Sequence, residues 1–298
     1  MTSPLATPAA PFGRVLTAMV TPFTEDGVLD LDGAQKLASH LVDSGNDGLV
    51  VSGTTGESPT TTGEEDGRLL AAVLDAVGDR ATVVAGVGTN DTRHSVELAA
   101  AAASIGAHGL LLVTPYYSKP PQAGIIGHVD AVAAAAGDVP VMLYDIPGRT
   151  GTELGRDTYL AMNDRPTVVA VKDAVGDLHR GAWILQNTDL AVYSGDDALN
   201  LAWLAVGAAG VVSVVGHVAA GRYQAMVEAV DAGDLATARQ IDRELVPVVE
   251  AIMGQTQGAI ASKVAVHALG LIGSPRVRLP LSAASDDQVA LIRKVLSA

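Results

Sequence analysis

Eight short apolar runs recur along the chain at a spacing that few folds can use. They cover residues 15–20, 48–52, 82–86, 109–113, 140–144, 168–171, 190–193 and 210–214. Their starts lie 33, 34, 27, 31, 28, 22 and 20 residues apart, which each time leaves room for a strand, a loop, a helix and a return loop. Most of the runs do not alternate apolar with polar residues. Strands buried on both faces, as in a parallel sheet covered by helices, have this pattern. The intervening segments carry helix punctuation. Leu31, Leu37, Leu41 and Val42 recur along residues 30–44 before Gly45, and residues 92–105 begin behind Asp91, a good cap, and stop at Gly106.

Eight such units predict an α/β chain folded as a (β/α)8 TIM barrel. A doubly wound open sheet is the alternative, but it uses fewer strands, and no dinucleotide fingerprint follows the first run. The nearest glycine cluster, Gly86-Val87-Gly88, lacks the third glycine. After Val215 the strand pattern stops, and helices are expected near 218–232, 234–254, 258–270 and 285–297. The expected organisation is a flexible tail over 1–12, a barrel core over 13–217 and a C-terminal helical region over 218–298. Apolar surface on that last region would suit subunit contacts.

Composition narrows the chemistry. The 298 residues include 33 acidic and 19 basic ones, a formal charge of −14. That balance argues against nucleic acid, whose phosphates need a concentrated basic surface, and against docking on an anionic membrane. There is no cysteine, so disulfides, thiolate zinc sites and cysteine nucleophiles are excluded. No apolar stretch reaches the ~18 uncharged residues of a membrane span. Residues 1–12 have no lysine or arginine, unlike a signal peptide; with the lack of cysteine this gives the expectation of a cytoplasmic protein. An amine nucleophile would come from only five lysines: Lys36, Lys119, Lys172, Lys263 and Lys294.

Active sites of such barrels form at the C-terminal strand ends. Just past the runs lie Gly53-Thr54-Thr55-Gly56-Glu57-Ser58, the segment Thr114–Pro120 with Tyr116 and Tyr117, the segment Tyr144–Gly151 with Arg149, then Lys172-Asp173, and Ser194-Gly195-Asp196-Asp197. Lys172 ends an apolar run. In a barrel mouth, desolvation would lower its pKa toward ~7–8 and free the amine to attack a carbonyl. Equally, it can snorkel to solvent or pair with Asp173. Lys36 and Lys294 lie in helical segments, Lys119 in a proline-flanked loop and Lys263 in the C-terminal helices. The amides and hydroxyls of Thr54 and Thr55 can hold a carboxylate, or merely cap a helix. Tyr116, Tyr117 and Tyr144 can relay protons or pack in the core. Arg149 can grip a carboxylate bidentately or pair with a neighbouring Asp. Asp196 and Asp197 fit a helix N-cap better than a metal, because no histidine stands nearby at ligand spacing.

Taken in order, GTTGES, TPYYSKP, YDIPGRTG, VKDA, SGDDALN and VRLPL, running from about Ala18 to Pro280, resemble the 4-hydroxy-tetrahydrodipicolinate synthase (dihydrodipicolinate synthase) family. GTTGES and the strand-end lysine are shared with the wider pyruvate-dependent aldolases. The rival reading is therefore another class I lyase, similar to N-acetylneuraminate lyase or the keto-deoxy-sugar-acid aldolases; the arginine of GRTG with SGDD favours the synthase. The resemblance implies condensation of pyruvate with L-aspartate 4-semialdehyde, on the way to diaminopimelate and lysine. Lys172 would form the Schiff base, and Tyr144 would donate and accept protons. Thr54 would bridge Tyr144 to Tyr117, which reaches in from a neighbouring subunit. Thr55 would hold the pyruvate carboxylate, Arg149 that of the semialdehyde, and Gly195 and Val212 would supply backbone contacts. It also implies a homotetramer, a dimer of dimers, with no cofactor and no metal. One departure stands out. Gly63, Asp66 and His94 occupy positions where lysine-inhibited members carry two histidines and a glutamate, so weak or absent inhibition by lysine is expected. Both expected substrates carry a carboxylate, and pyruvate is an anion that a −14 chain repels on average, which throws the burden of a local positive patch on Arg149 and the amides after Thr54.

Overall fold

The computed structural model describes residues 9–297. All eight runs form strands, and these close into a parallel barrel in chain order. The strands are β1 (Val15–Ala18), β2 (Gly48–Val51), β3 (Thr82–Gly86), β4 (Gly109–Val113), β5 (Val141–Asp145), β6 (Val168–Asp173), β7 (Ala191–Ser194) and β8 (Gly210–Ser213). Helices α1 (Leu31–Asp43), α2 (Gly63–Val77), α3 (Thr92–Ile105), α4 (Gln122–Ala136), α5 (Pro147–Thr150), α6 (Arg156–Asn163), α7 (Leu178–Asn187) and α8 (Asn200–Val206) fill the connections. Four more follow β8: α9 (Gly216–Asp231), α10 (Leu235–Met253), α11 (Gly258–Ala268) and α12 (Asp286–Leu296). These fall within a few residues of the four helices expected from the sequence. Among the described residues no helix is long and apolar enough to cross a membrane.

The absence of polar alternation in the runs has a direct structural cause, since neither face of a strand meets water. Leu16, Val50, Val84, Leu111, Met142, Ala170 and Val212 point inward and pack with Tyr144 and Tyr193 inside the barrel. Their neighbours along the same strands, such as Leu49, Val51, Val83, Leu110, Leu112, Leu143, Val171 and Val192, pack against the helices. A third apolar cluster joins Val15, Val211 and Val215 to Tyr223, Ile241, Leu245, Ile252 and Val264, and so binds the C-terminal helices to the β1–β8 side. Caps define where helices start. Asp30 accepts from the Gly33 amide at 2.9 Å, Asp91 from that of Arg93 at 2.9 Å, and Thr62 with Glu65 forms a reciprocal capping box.

Two boundaries differ from the sequence reading. Phe12, assigned there to the tail, is fully buried. Its ring lies 6.3 Å from that of Tyr193, and the space left by Gly109 at the start of β4 accommodates it, so it closes the N-terminal end of the barrel. Residues 1–8 of the expected tail lie outside the described residues. The fifth strand also starts one residue later than its apolar run, and the sixth runs two residues beyond its own. β5 begins after Pro140, which has no amide to give to the ladder, and both strands continue into charged residues, Asp145 and Asp173.

Candidate active site

The extension of β6 decides where its lysine goes. Side chains alternate across a strand, so Lys172 shares the inward face with Ala170, while Val171 and Asp173 face the helices. Tyr144 of β5 is its register partner and also points inward. The Lys172 Nζ lies 4.3 Å from the centroid of the Tyr144 ring. Lys172 is only 4% exposed and Tyr144 5%. Burial pushes the Lys172 amine down to about 8; the Arg149 charge adds to this, and the Asp197 carboxylate opposes it. At about pH 7 roughly a tenth of such a lysine is free amine, against roughly one part in three thousand for an ordinary one. Burial pushes the Tyr144 phenol up to about 12, with the Arg149 charge and the nearby Thr54 hydroxyl pulling the other way. The phenol is therefore neutral at any working pH and can both donate and accept a hydrogen bond.

A cavity of about 180 Å³ opens over this pair, its wall including Thr54, Tyr116, Tyr144 and Arg149. Lys172 is not part of that wall; Tyr144, against whose ring its Nζ lies, is. The loop carrying Thr54 and Thr55 is held at both ends by backbone turned into the left-handed region, at Ser52 (φ 52°) and Glu57 (φ 60°). Thr21 Oγ1 donates to the Gly56 carbonyl at 2.6 Å. Gly86 allows the close approach of this loop to β3, because a Cβ there would stand 2.2 Å from the Ser52 carbonyl oxygen. Glu57 is buried under the loop and ion-paired with Lys263 of α11, and its Oε2 accepts from the Arg278 amide at 2.8 Å.

Arg149 sits on α5, a single helical turn closed by Gly151 at φ 76°. Gly195 lies against Lys172: a Cβ there would meet the Asp173 carbonyl at 2.9 Å and Lys172 Cε and Cγ at 3.0 Å. Val212 is buried in the inner cluster, and Thr55 is buried in the loop. Tyr117 is not brought to the cavity. It is 88% exposed, and its backbone is left-handed at φ 72°.

The aspartates after β7 divide their work. Asp196 caps the turn through the Ala198 amide at 3.1 Å. Asp197 is buried and accepts from Ser213 Oγ, the Val214 amide at 2.8 Å and the Val215 amide at 3.0 Å, which ties the end of β8 to the loop after β7. The sequence reading missed Thr150, Ile146, Ser58 and Pro59, all in the cavity wall. Thr150 and Ile146 flank Arg149 in YDIPGRTG, so the motif itself was the available signal.

Comparison with known proteins places this geometry. A model of the dihydrodipicolinate synthetase family matches residues 11–298. The chain is 60% identical over 289 residues to the 4-hydroxy-tetrahydrodipicolinate synthase of Acidothermus cellulolyticus, covering 97% of this chain and 93% of that one. It is 56% identical to 4-hydroxy-tetrahydrodipicolinate synthase 2 of Streptomyces coelicolor over 296 residues, 99% and 98% of the two chains. Among solved structures, dihydrodipicolinate synthase from Cyanidioschyzon merolae with lysine bound superimposes with a TM-score of 0.93 at 41% identity, covering 97% of this chain and 98% of that one.

Proposed function

The chain belongs to the dihydrodipicolinate synthetase family, and from that premise we infer that it condenses pyruvate with L-aspartate 4-semialdehyde to 4-hydroxy-tetrahydrodipicolinate, a Schiff-base lyase reaction of diaminopimelate and lysine biosynthesis. The observation that carries the site assignment is Lys172, buried against Tyr144 with its amine down at about 8 beneath a cavity that bears one guanidinium.

The free amine of Lys172 attacks the keto carbon of pyruvate, and loss of water leaves an imine. Removal of a methyl proton gives the enamine, whose carbon attacks the semialdehyde carbonyl. The amino group of the bound semialdehyde then displaces the lysine nitrogen from the imine carbon and closes the ring, with one water lost overall. A neutral Tyr144 suits the proton transfers of imine formation and release, because it gives up its proton only while taking another from a neighbouring hydroxyl. Thr54, which shares the cavity wall with Tyr144, is that neighbour. Thr55 and the amides of the loop hold the pyruvate carboxylate, Gly195 and Val212 shape the backbone beside Lys172, and Arg149 at the cavity wall receives the carboxylate of the semialdehyde.

The site is completed by a second subunit in this reading. Tyr117, solvent-exposed in a left-handed backbone that holds it off its own barrel, reaches the Thr54–Tyr144 relay of a neighbour, within a homotetramer built as a dimer of dimers and working in the cytoplasm. Borohydride reduction with pyruvate, followed by peptide mapping, tests the assignment. The expected label is on Lys172; no label, or a label on Lys263, would overturn it.

A further inference from the structure

Asp145 and Asp173 follow Tyr144 and Lys172 directly, so they face the opposite side of the sheet, toward the helices. They are register partners on adjacent strands and are fully buried. One cation serves both: Arg180 of α7 ion-pairs with Asp145 through Nη2, and its Nη1 lies 3.5 Å from Asp173 Oδ2. The remaining neighbours are neutral. Asp145 Oδ2 accepts from the Tyr159 phenol of α6 at 2.9 Å and the Leu154 amide at 3.1 Å. Asp173 Oδ1 accepts from the amides of Val175 at 2.8 Å and Gly176 at 3.3 Å. Ser194, the partner of Asp173 on β7, is buried and uncharged. Lys172 and Tyr144 stand on the inner face.

Two carboxylates and one guanidinium leave a net charge of −1 if both acids ionise. A buried charge without its own counterion takes up or loses a proton rather than remain, and two carboxylates sharing one site do not both ionise readily. Asp145 Oδ1, Asp173 Oδ2 and Arg180 Nη1 are all buried without a hydrogen-bond partner among the described residues, so each acid keeps an oxygen that a proton can occupy. We infer that Asp145 and Asp173 hold one proton between the two carboxyl groups, and that the resulting neutral cluster with Arg180 is a positioning device fixing the ends of β5 and β6, and with them Tyr144 and Lys172. Burial raises both carboxyl groups above the usual range while Arg180 opposes it, in keeping with a retained proton. Only the positioning half rests on the catalytic reading of Lys172 and Tyr144.

Infrared spectroscopy of the protein with isotopically labelled aspartate tests the proton near neutral pH. The wild type should show a protonated-carboxyl band that loses the intensity of one carboxyl in both Asp173→Asn and Asp145→Asn, since either leaves a single ionised acid for Arg180. A band unchanged in both variants overturns the shared proton. Stability gives a second reading. A carboxyl raised in the folded state contributes stability at low pH that is lost as pH rises above its unfolded pKa, so the wild-type Tm should fall relative to Asp173→Asn as pH rises above about 4. A constant difference counts against the proposal. For positioning, Arg180→Met should lower kcat by roughly 10²-fold, the cost of about 1 Å of misplacement, with little change in pyruvate KM, and Arg180→Lys should recover part of it. Unchanged kcat per borohydride-trappable site in both Arg180 variants overturns positioning. If wild-type Lys172 is never trapped, the catalytic reading fails while the infrared result stands on its own.

Discussion

Lys263→Met tests how the C-terminal helices support the catalytic face. Lys263 and Glu57 are both fully buried and ion-paired across 206 residues of sequence. The ammonium also donates to the Arg276 carbonyl at 2.7 Å and lies 4.0 Å from the Phe23 ring centroid. Removing it leaves Glu57 beneath the Thr54–Thr55 loop with the Arg278 amide as its remaining hydrogen-bond donor, because the Arg278 guanidinium is engaged with Glu65, the Gly27 carbonyl and the Thr60 carbonyl. Breaking a buried pair on one side costs about 3–5 kcal/mol. At about 2–4 °C per kcal/mol for a chain of this size, thermal unfolding should move down by roughly 6–20 °C.

The double variant Glu57→Gln/Lys263→Met separates the lost pair from the buried charge left behind. Replacing both ions with neutral groups of similar size is often close to neutral in stability, so the double variant should melt well above Lys263→Met alone. Steady-state kinetics on the single variant should show a raised KM for pyruvate, since Glu57 anchors the loop assigned to its carboxylate. A single variant melting within about 2 °C of wild type, or a double variant no more stable than the single, would refute the reasoning.

Four further outcomes are expected. Gly195→Ala, whose Cβ would stand 3.0 Å from Lys172 Cε, should slow borohydride trapping by about tenfold or more through displacement of the nucleophile; trapping at the wild-type rate in a folded variant would show that the contact is harmless. Imine formation needs the free amine, so its rate should climb as pH rises and level off above about 8; a stopped-flow profile still climbing steeply beyond about pH 10, as an ordinary lysine would give, would remove the argument for a depressed nucleophile. Arg149→Ala should raise the KM for aspartate semialdehyde more than that for pyruvate, by about tenfold for a lost charge-assisted pair of ~1.5 kcal/mol or more; equal effects on both would reassign the guanidinium. Sub-millimolar lysine should leave steady-state activity nearly unchanged, since Asp66 is committed to Ser52 and Thr61 at 2.8 and 2.7 Å and His94 lies beside Glu97; clear inhibition would sink that expectation.

The barrel was legible because its signal is local and repeated. Each apolar run encodes a strand buried on both sides, and caps such as Asp30 and Asp91 mark helix starts by their own hydrogen bonds. Lys172 was legible for a related reason: a charge that ends an apolar run has few structural reasons to be there. What stayed hidden depends on partners far away in sequence. Nothing in VKDA says that β6 runs on through Asp173, or that Arg180 will sit behind it. Glu57 lies inside a motif read for its threonines, and its counterion is in a helix outside the barrel. The conformation of Tyr117 was equally out of reach, since an exposed left-handed tyrosine follows from the path of one loop rather than from any periodicity.

The two buried lysines show why basicity alone does not identify a nucleophile. Burial brings both Lys172 and Lys263 down to about 8, so on that measure they are equivalent. Their surroundings differ in kind. Lys263 has a carboxylate in contact, a carbonyl as second acceptor and no exposure, so its free amine would exist only at the cost of an unpaired Glu57. Both amines lie over an aromatic ring, but Lys172 has a glycine where a side chain would block it, and its electrostatic support comes from an Asp197 already committed to four donors, Asn200 among them. Loss of its proton therefore strands no partner, and the iminium that replaces the ammonium still finds the same distant negative charge. The acidity of the chain fits this arrangement, because the one guanidinium in the cavity wall, Arg149, attracts anionic substrates while also disfavouring a second positive charge on Lys172. A neutralising Arg149 variant should therefore weaken substrate binding and raise the pH at which imine formation levels off, and finding the first effect without the second would show that burial alone sets the amine.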